Sequence, residues 1–128
     1  MKKILIVEDQ PDVQNLLTVA LHEKNYQLFH ALNAADGLAL ARQETPDLLL
    51  LDIMMPGAMD GLGLLKVLKQ EPETAGIKVI VLSARAQHHD QNAAMDEGAD
   101  HYITKPFRLS YLKTCIEAAM ESPSETST

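Results

Sequence analysis

Residues 48–52 read Leu48-Leu49-Leu50-Leu51-Asp52, four consecutive leucines that end in a carboxylate. The run neither alternates with polar residues nor repeats at 3.6, so it reads as a short strand covered on both faces, the mark of a parallel sheet. Ile4–Val7 and Val79–Leu82 have the same character, and Gln27–Ala31 and His101–Thr104 are weaker strand candidates. Between them lie stretches with helical periodicity. Val13, Leu16, Leu17, Ala20 and Leu21 form one stripe, Leu38 and Ala41 a second, and Leu64, Leu65 and Leu68 a third. Ala93, Ala94 and Glu97 mark a fourth helix, and Leu112 to Ile116 with Ala119 a fifth.

Boundary residues support this alternation. Pro11 suits the first turn of a helix, Pro46 closes the second, Gly76 follows the third, and Gly98 reads as a left-handed cap after the fourth. Asp36-Gly37, inside the second helical stretch, is a turn signal that weakens it. Five β-α units with right-handed crossovers predict an α/β fold, a doubly wound parallel sheet with helices on both faces. At 128 residues the chain is one domain and too short for an eight-unit barrel. Residues 1–121 are expected to form it, with Ser122–Thr128 a polar disordered tail or truncated linker.

Composition narrows the function. The chain is 46% hydrophobic and 23% charged, as in ordinary globular proteins, and its net charge of −7 argues against nucleic-acid binding by this domain. No apolar run is long enough to span a membrane, and the run after Lys2-Lys3 stops at Glu8, too early for an export signal. A cytoplasmic location is expected. Cys115, the single cysteine, falls at an apolar helical position and reads as a buried structural thiol.

In open α/β sheets, ligands gather at the carboxyl ends of the strands. Those ends carry Glu8-Asp9, Asp52, Ser83 and Thr104-Lys105-Pro106. Each has a plainer reading: an acidic first turn for Glu8-Asp9, a turn cap for Asp52, a helix cap for Ser83, a surface position for Lys105. Their joint occurrence on one rim outweighs these readings. Converging carboxylates repel unless a cation or a proton intervenes, and a few oxygen ligands suit Mg²⁺ (or Mn²⁺) rather than zinc. Glu8, Asp9 and Asp52 supply −3, against +3 from Mg²⁺ and Lys105, so an added phosphoryl group leaves a net negative charge. Lys105 and the Ser83 hydroxyl are the groups placed to hold it.

The motifs Ile4-Leu5-Ile6-Val7-Glu8-Asp9, Leu51-Asp52-Ile53-Met54-Met55-Pro56, Val81-Leu82-Ser83-Ala84 and Gly98-Ala99-Asp100, followed by Tyr102-Ile103-Thr104-Lys105-Pro106-Phe107, occur in order along the chain. Together they resemble the receiver (phosphoacceptor) domain of bacterial two-component response regulators. The resemblance implies a flavodoxin-like sheet in the order 2-1-3-4-5 and a phosphorelay switch rather than an enzyme. Asp52 matches the aspartate that takes a phosphoryl group from a phosphohistidine. Asp9, Asp52 and the Met54 carbonyl match direct Mg²⁺ ligands, and Glu8 a ligand through water. Lys105, before a cis Pro106, and Ser83 match the phosphoryl-binding residues. Ser83 and Tyr102 match the switch pair. The implied partners are a sensor histidine kinase or histidine phosphotransfer protein, then a downstream protein or output domain on the helix 4–strand 5–helix 5 face, with a homodimer on phosphorylation.

One departure is the stretch Met55-Pro56-Gly57-Ala58-Met59-Asp60-Gly61, one residue longer than the usual pattern after the acceptor. Met54 and Arg85 flank the acceptor, and an apolar Met54 is expected to slow hydrolysis. His30, His88, His89 and His101 read as surface histidines. The alternative function is a Mg²⁺-dependent aspartyl-phosphate phosphatase. That chemistry needs a second aspartate two positions after the first, where this chain has Met54. A flavodoxin-like cofactor binder would need a phosphate-binding loop after strand 1, where Glu8-Asp9-Gln10-Pro11 would repel phosphate.

Overall fold

The computed structural model describes residues 2–22, 26–53, 60–84 and 88–121. Met54, Arg85, most of the lengthened loop and the tail after 121 lie outside these residues. The apolar runs are strands and the periodic stretches helices: β1 (Lys2–Val7), α1 (Pro11–Leu21), β2 (Tyr26–Ala31), α2 (Ala34–Glu44), β3 (Leu48–Asp52), α3 (Gly61–Gln70), β4 (Lys78–Ser83), α4 (His88–Asp96), β5 (His101–Thr104) and α5 (Leu109–Glu121). The strands form one parallel sheet in the order β2-β1-β3-β4-β5, the doubly wound flavodoxin-like arrangement.

The pleat explains why the leucine run has no visible period. Alternate residues point to opposite faces, and both faces are covered. Leu5, Val7, Leu49, Leu51, Val79 and Val81 meet Ala34 and Ala41 of α2, Leu64, Leu65 and Leu68 of α3, and Ala94 of α4. Ile4, Ile6, Leu48, Leu50, Ile80, Leu82 and Ile103 meet Leu17 and Leu21 of α1 and Leu112, Cys115, Ile116 and Ala119 of α5. Each fully buried leucine contributes about 2 kcal/mol. Cys115 is buried, as its position predicts.

Three local expectations change. Leu16, placed by periodicity on the buried stripe of α1, is 48% exposed, while Gln14 is buried. Helix α1 is rotated so that Gln14, Leu17, Ala20 and Leu21 face inward. Asp36-Gly37 is not a turn: α2 runs through it. Asn33 caps the helix by accepting from the Asp36 N–H at 2.8 Å, and its own amide donates to the Asp36 carboxylate at 3.1 Å. Gly37 lets α2 lie close on β1, because a Cβ there would stand 2.8 Å from a Val7 methyl. Helix α3 ends at Gln70, earlier than Gly76 implies. Thr74 bonds the Leu68 carbonyl at 2.7 Å and Lys69 the Ile77 carbonyl at 2.7 Å, and between them they close the turn. Gly98 follows α4 with a φ of +111°.

Candidate functional site

The strand order sets the site. β1 lies between β2 and β3, so the chain winds outward from it in both directions and leaves a crevice at its carboxyl end. Val7 pairs with Leu51, so the next residues, Glu8 and Asp52, emerge side by side. Both are buried, Glu8 to 1% and Asp52 to 4% exposure, and Asp9 is half-buried beside them. Oxygens of the three carboxylates lie within 4.8 Å of one another. Lys105, just past the end of β5, brings its ammonium 2.9 Å from Glu8 Oε1 and 3.4 Å from Asp52 Oδ2.

How Lys105 reaches inward follows from the register at the far edge. Ser83 pairs with Thr104 at the ends of β4 and β5, and the Lys105 N–H donates to the Ser83 carbonyl at 2.7 Å, extending the pairing by one step. The Lys105–Pro106 peptide bond is cis. Asp52 pairs with Leu82, so Ser83 stands one residue further out than Asp52 on the neighbouring strand, fully buried. Tyr102 is partly buried against the α2–α4 side of the core. Helix α3 closes the floor. Its first residue, Gly61, packs so tightly that a Cβ there would overlap the Ile53 backbone and stand 2.5 Å from the Asp52 carbonyl oxygen.

The electrostatics match a hard cation site. Burial pushes the Glu8 carboxyl up to about 7, and the negative charge of Asp52 adds to the rise against the opposing pull of Lys105. Burial alone would lower Lys105, but its hydrogen bond to Glu8 and the charges of Asp52 and Glu8 outweigh that and raise it. A buried carboxyl held up in this way, with two further carboxylates beside it, suits a divalent oxygen-seeking ion in place of its proton. The residues present therefore fit Mg²⁺.

Glu8, Asp9, Asp52 and Lys105 are thus brought together, with Ser83 one strand along. Sequence reasoning missed Gln14, whose side-chain amide reaches under the acidic turn, because polar residues on a helix are ordinarily assigned to solvent. It missed Gly61 as well, because a close approach between backbones leaves no chemical signature in the residue itself. Asp100, in the Gly98-Ala99-Asp100 motif, has a structural role. It accepts from the Val79 N–H at 2.8 Å and ties the loop before β5 to β4.

A parallel sheet in this order, with an acidic crevice at its switch point and a lysine closing it, defines a receiver domain. The chain belongs to the response regulator receiver domain family, whose model matches residues 4–117, and so to the two-component signalling proteins. Among curated relatives, Protein PilH of Pseudomonas aeruginosa is 39% identical over 120 residues, covering 94% of this chain and 98% of PilH. The chain also matches transcriptional regulators at 35–36% identity but spans only about half their length (49–54%). A solved CheY-like response regulator receiver domain from Methanospirillum hungatei superimposes with a TM-score of 0.87 at 30% identity, covering 94% of each chain. The receiver domain of the Pseudomonas aeruginosa sensor kinase PA1611, described with magnesium coordinated in its active-site cleft, superimposes at 0.86 over 94% of this chain and 98% of that one. At 23% identity it shows likeness of fold alone.

Proposed function

We propose that this domain is a phosphorylation-dependent switch in which Asp52 takes a phosphoryl group from a phosphohistidine of a sensor kinase or histidine phosphotransfer protein. The observation that carries the reading is the clustering of the Glu8, Asp9 and Asp52 carboxylates at the β1–β3 crevice, with the Lys105 ammonium bridging Glu8 and Asp52. A carboxylate oxygen of Asp52 attacks phosphorus. The P–N bond breaks as the P–O bond forms, and the departing imidazole nitrogen keeps the electron pair and takes a proton. Asp9, Asp52 and the Met54 carbonyl would hold Mg²⁺, or Mn²⁺ in its place, with Glu8 reaching it through water. The bound ion supplies charge neutralisation for the phosphoryl oxygens.

Lys105 is free to follow that charge. Its ammonium already spans Glu8 and Asp52, so a new anion on Asp52 competes for it directly. The buried Ser83 hydroxyl on the next strand is the second donor within reach by register. In this reading its movement toward the phosphoryl group is followed by inward rotation of Tyr102 and a change in the α4–β5–α5 face. That face then engages a downstream protein, an attached output domain or a second copy of the chain. The domain assists its own phosphorylation without turning over a substrate.

The test is incubation with acetyl phosphate and Mg²⁺ followed by intact mass. One added phosphoryl group, absent with EDTA and in Asp52→Asn, is expected. Sustained hydrolysis of added phosphomonoesters would instead support the phosphatase reading, and a result with neither mass gain nor hydrolysis under any condition would remove both.

A further inference from the structure

We propose that Gln14 is a positioning residue for the acidic turn after β1, and that His30 reinforces the orientation of its side-chain amide. The inference rests on the reading of Glu8 and Asp9 as part of the metal and phosphoryl site.

Gln14 is a polar side chain in a helix face otherwise given to core packing, and it is 6% exposed. A buried amide needs partners for both ends. Its Nε2 lies 3.2 Å from the Ile6 carbonyl, 3.1 Å from the Glu8 carbonyl and 2.9 Å from the Ala31 carbonyl. Two N–H groups are therefore shared among three acceptors, at the ends of two adjacent strands. The Ala31 carbonyl also accepts from the Glu8 N–H at 3.1 Å, so Glu8 is held on both sides of its own residue, by its N–H through Ala31 and by its carbonyl through Gln14. Apart from Lys105 on the Glu8 carboxylate, the other contacts described for the turn are weaker. Gln10 at the N-cap of α1 makes no side-chain capping bond, and its N–H reaches the Glu8 carboxylate only at 3.3 Å. Gln14 also donates its backbone N–H to the Gln10 carbonyl at 3.1 Å. One residue thus grips the Glu8-Asp9-Gln10 turn at both ends.

The amide must face the right way for this. Rotated by half a turn, it would set Oε1 against three carbonyl oxygens. The three carbonyls oppose that, and His30, on the exposed side of β2, reinforces the observed orientation: its Nδ1 lies 2.6 Å from Gln14 Oε1. Because Oε1 only accepts, Nδ1 carries the hydrogen in this pair. Thr18 closes the arrangement. Its hydroxyl donates to the Gln14 carbonyl at 2.8 Å and sits 3.4 Å from His30 Nε2. Partners behind metal-ligating groups commonly change metal affinity by 10–100-fold when removed.

The experiment compares Gln14→Met, His30→Ala and, as a control for general destabilisation of α1, Leu17→Ala. Two quantities are read by NMR: the Mg²⁺ dissociation constant, from backbone amide shifts, and hydrogen exchange at the Glu8 amide in metal-free protein. Gln14→Met is expected to weaken Mg²⁺ about tenfold and to speed Glu8 exchange. His30→Ala, a surface change that should fold normally, is expected to weaken Mg²⁺ by about threefold in the same direction. Leu17→Ala should leave Mg²⁺ affinity within about twofold. Affinity within twofold and unchanged Glu8 exchange in both Gln14→Met and His30→Ala would overturn the proposal; if Gln14→Met does not fold, His30→Ala decides alone. A proton on Nε2 instead of Nδ1 of His30 in the wild type would overturn the orienting role. If the wild type binds no Mg²⁺, the functional reading fails, while Glu8 exchange still judges Gln14.

Discussion

At the amino end of the sheet, charges meet in pairs near water; at the carboxyl end, three carboxylates cluster and one lysine bridges two of them. Lys3 pairs with Glu44 at 3.3 Å with both side chains partly exposed, and the Lys3 N–H donates to Asp47 at 2.8 Å. Arg42 pairs with Glu71 on the neighbouring surface. Opposite them, Glu8, Asp9 and Asp52 total −3 against the +1 of Lys105, with Glu8 and Asp52 buried. The first arrangement is close to electrostatic balance and has nothing to gain from a ligand. The second is held in a state that, in the proposed function, a cation would relieve and an added phosphoryl group would disturb. Function sits where the fold tolerates an unfavourable charge distribution.

The glycines at the two ends differ in the same sense, and they give the largest predicted contrast. Gly61 abuts the Asp52–Ile53 backbone, whereas a Cβ on Gly76 would meet nothing within 4 Å. Gly61→Ala should cost about 3 kcal/mol in urea unfolding through forced displacement of backbone, and it should disturb Mg²⁺ binding with it. Gly76→Ala should stay within about 1 kcal/mol of wild type. Equal effects would erase the distinction between the two ends.

Next in size is Lys105→Met, which leaves the buried Glu8 without its ammonium. Destabilisation of about 2.5 kcal/mol is expected at pH 8 without metal, and clearly less at pH 5.5, where Glu8 takes a proton instead. Parallel loss at both pH values would mean that Lys105 acts by packing alone.

The pH profile of the unmodified protein follows from Glu8. Its folded pKa of about 7 lies above the unfolded value of 4.5, so its favourable contribution is complete below pH 4.5 and is lost as pH rises through 7. Metal-free stability should therefore fall by roughly 2.5 kcal/mol from this group between pH 5 and 8. Because Mg²⁺ takes the place of the proton, its stabilising effect should be greater at pH 8 than at pH 6. A Mg²⁺ effect independent of pH would count against the coupling. The smallest change is expected at the amino end: Lys3→Ala, which removes a partly exposed pair, should cost less than about 1 kcal/mol, and raising the salt concentration should shrink even that.

Much of this was legible in the chain because strand runs and strand-end residues are local features. Leu48 to Asp52 announces a buried parallel strand with an acid at its tip, and the register of such strands then forces Glu8 and Asp52 together. Helix α1 was less legible. A stripe of Val13, Leu16, Leu17, Ala20 and Leu21 can be rotated by a fraction of a turn without changing its pattern, and the sheet beneath chose the rotation that buries Gln14 and exposes Leu16. Asp36-Gly37 was misleading for a related reason. Its turn chemistry is outweighed by a cap on one side and close contact with Val7 on the other.

The sequence by itself determined the alternation of strand and helix, the parallel sheet and the list of charged residues at its carboxyl rim, because each depends on neighbours a few positions away. Tertiary structure decided how those residues act on one another. The burial that raises Glu8, the reach of Lys105 across 97 and 53 positions of chain to Glu8 and Asp52, and the grip of Gln14 on three carbonyls all depend on distances that no local pattern encodes. Electrostatic and hydrogen-bond energies change steeply over a few ångströms, and only the packed sheet fixes positions that finely.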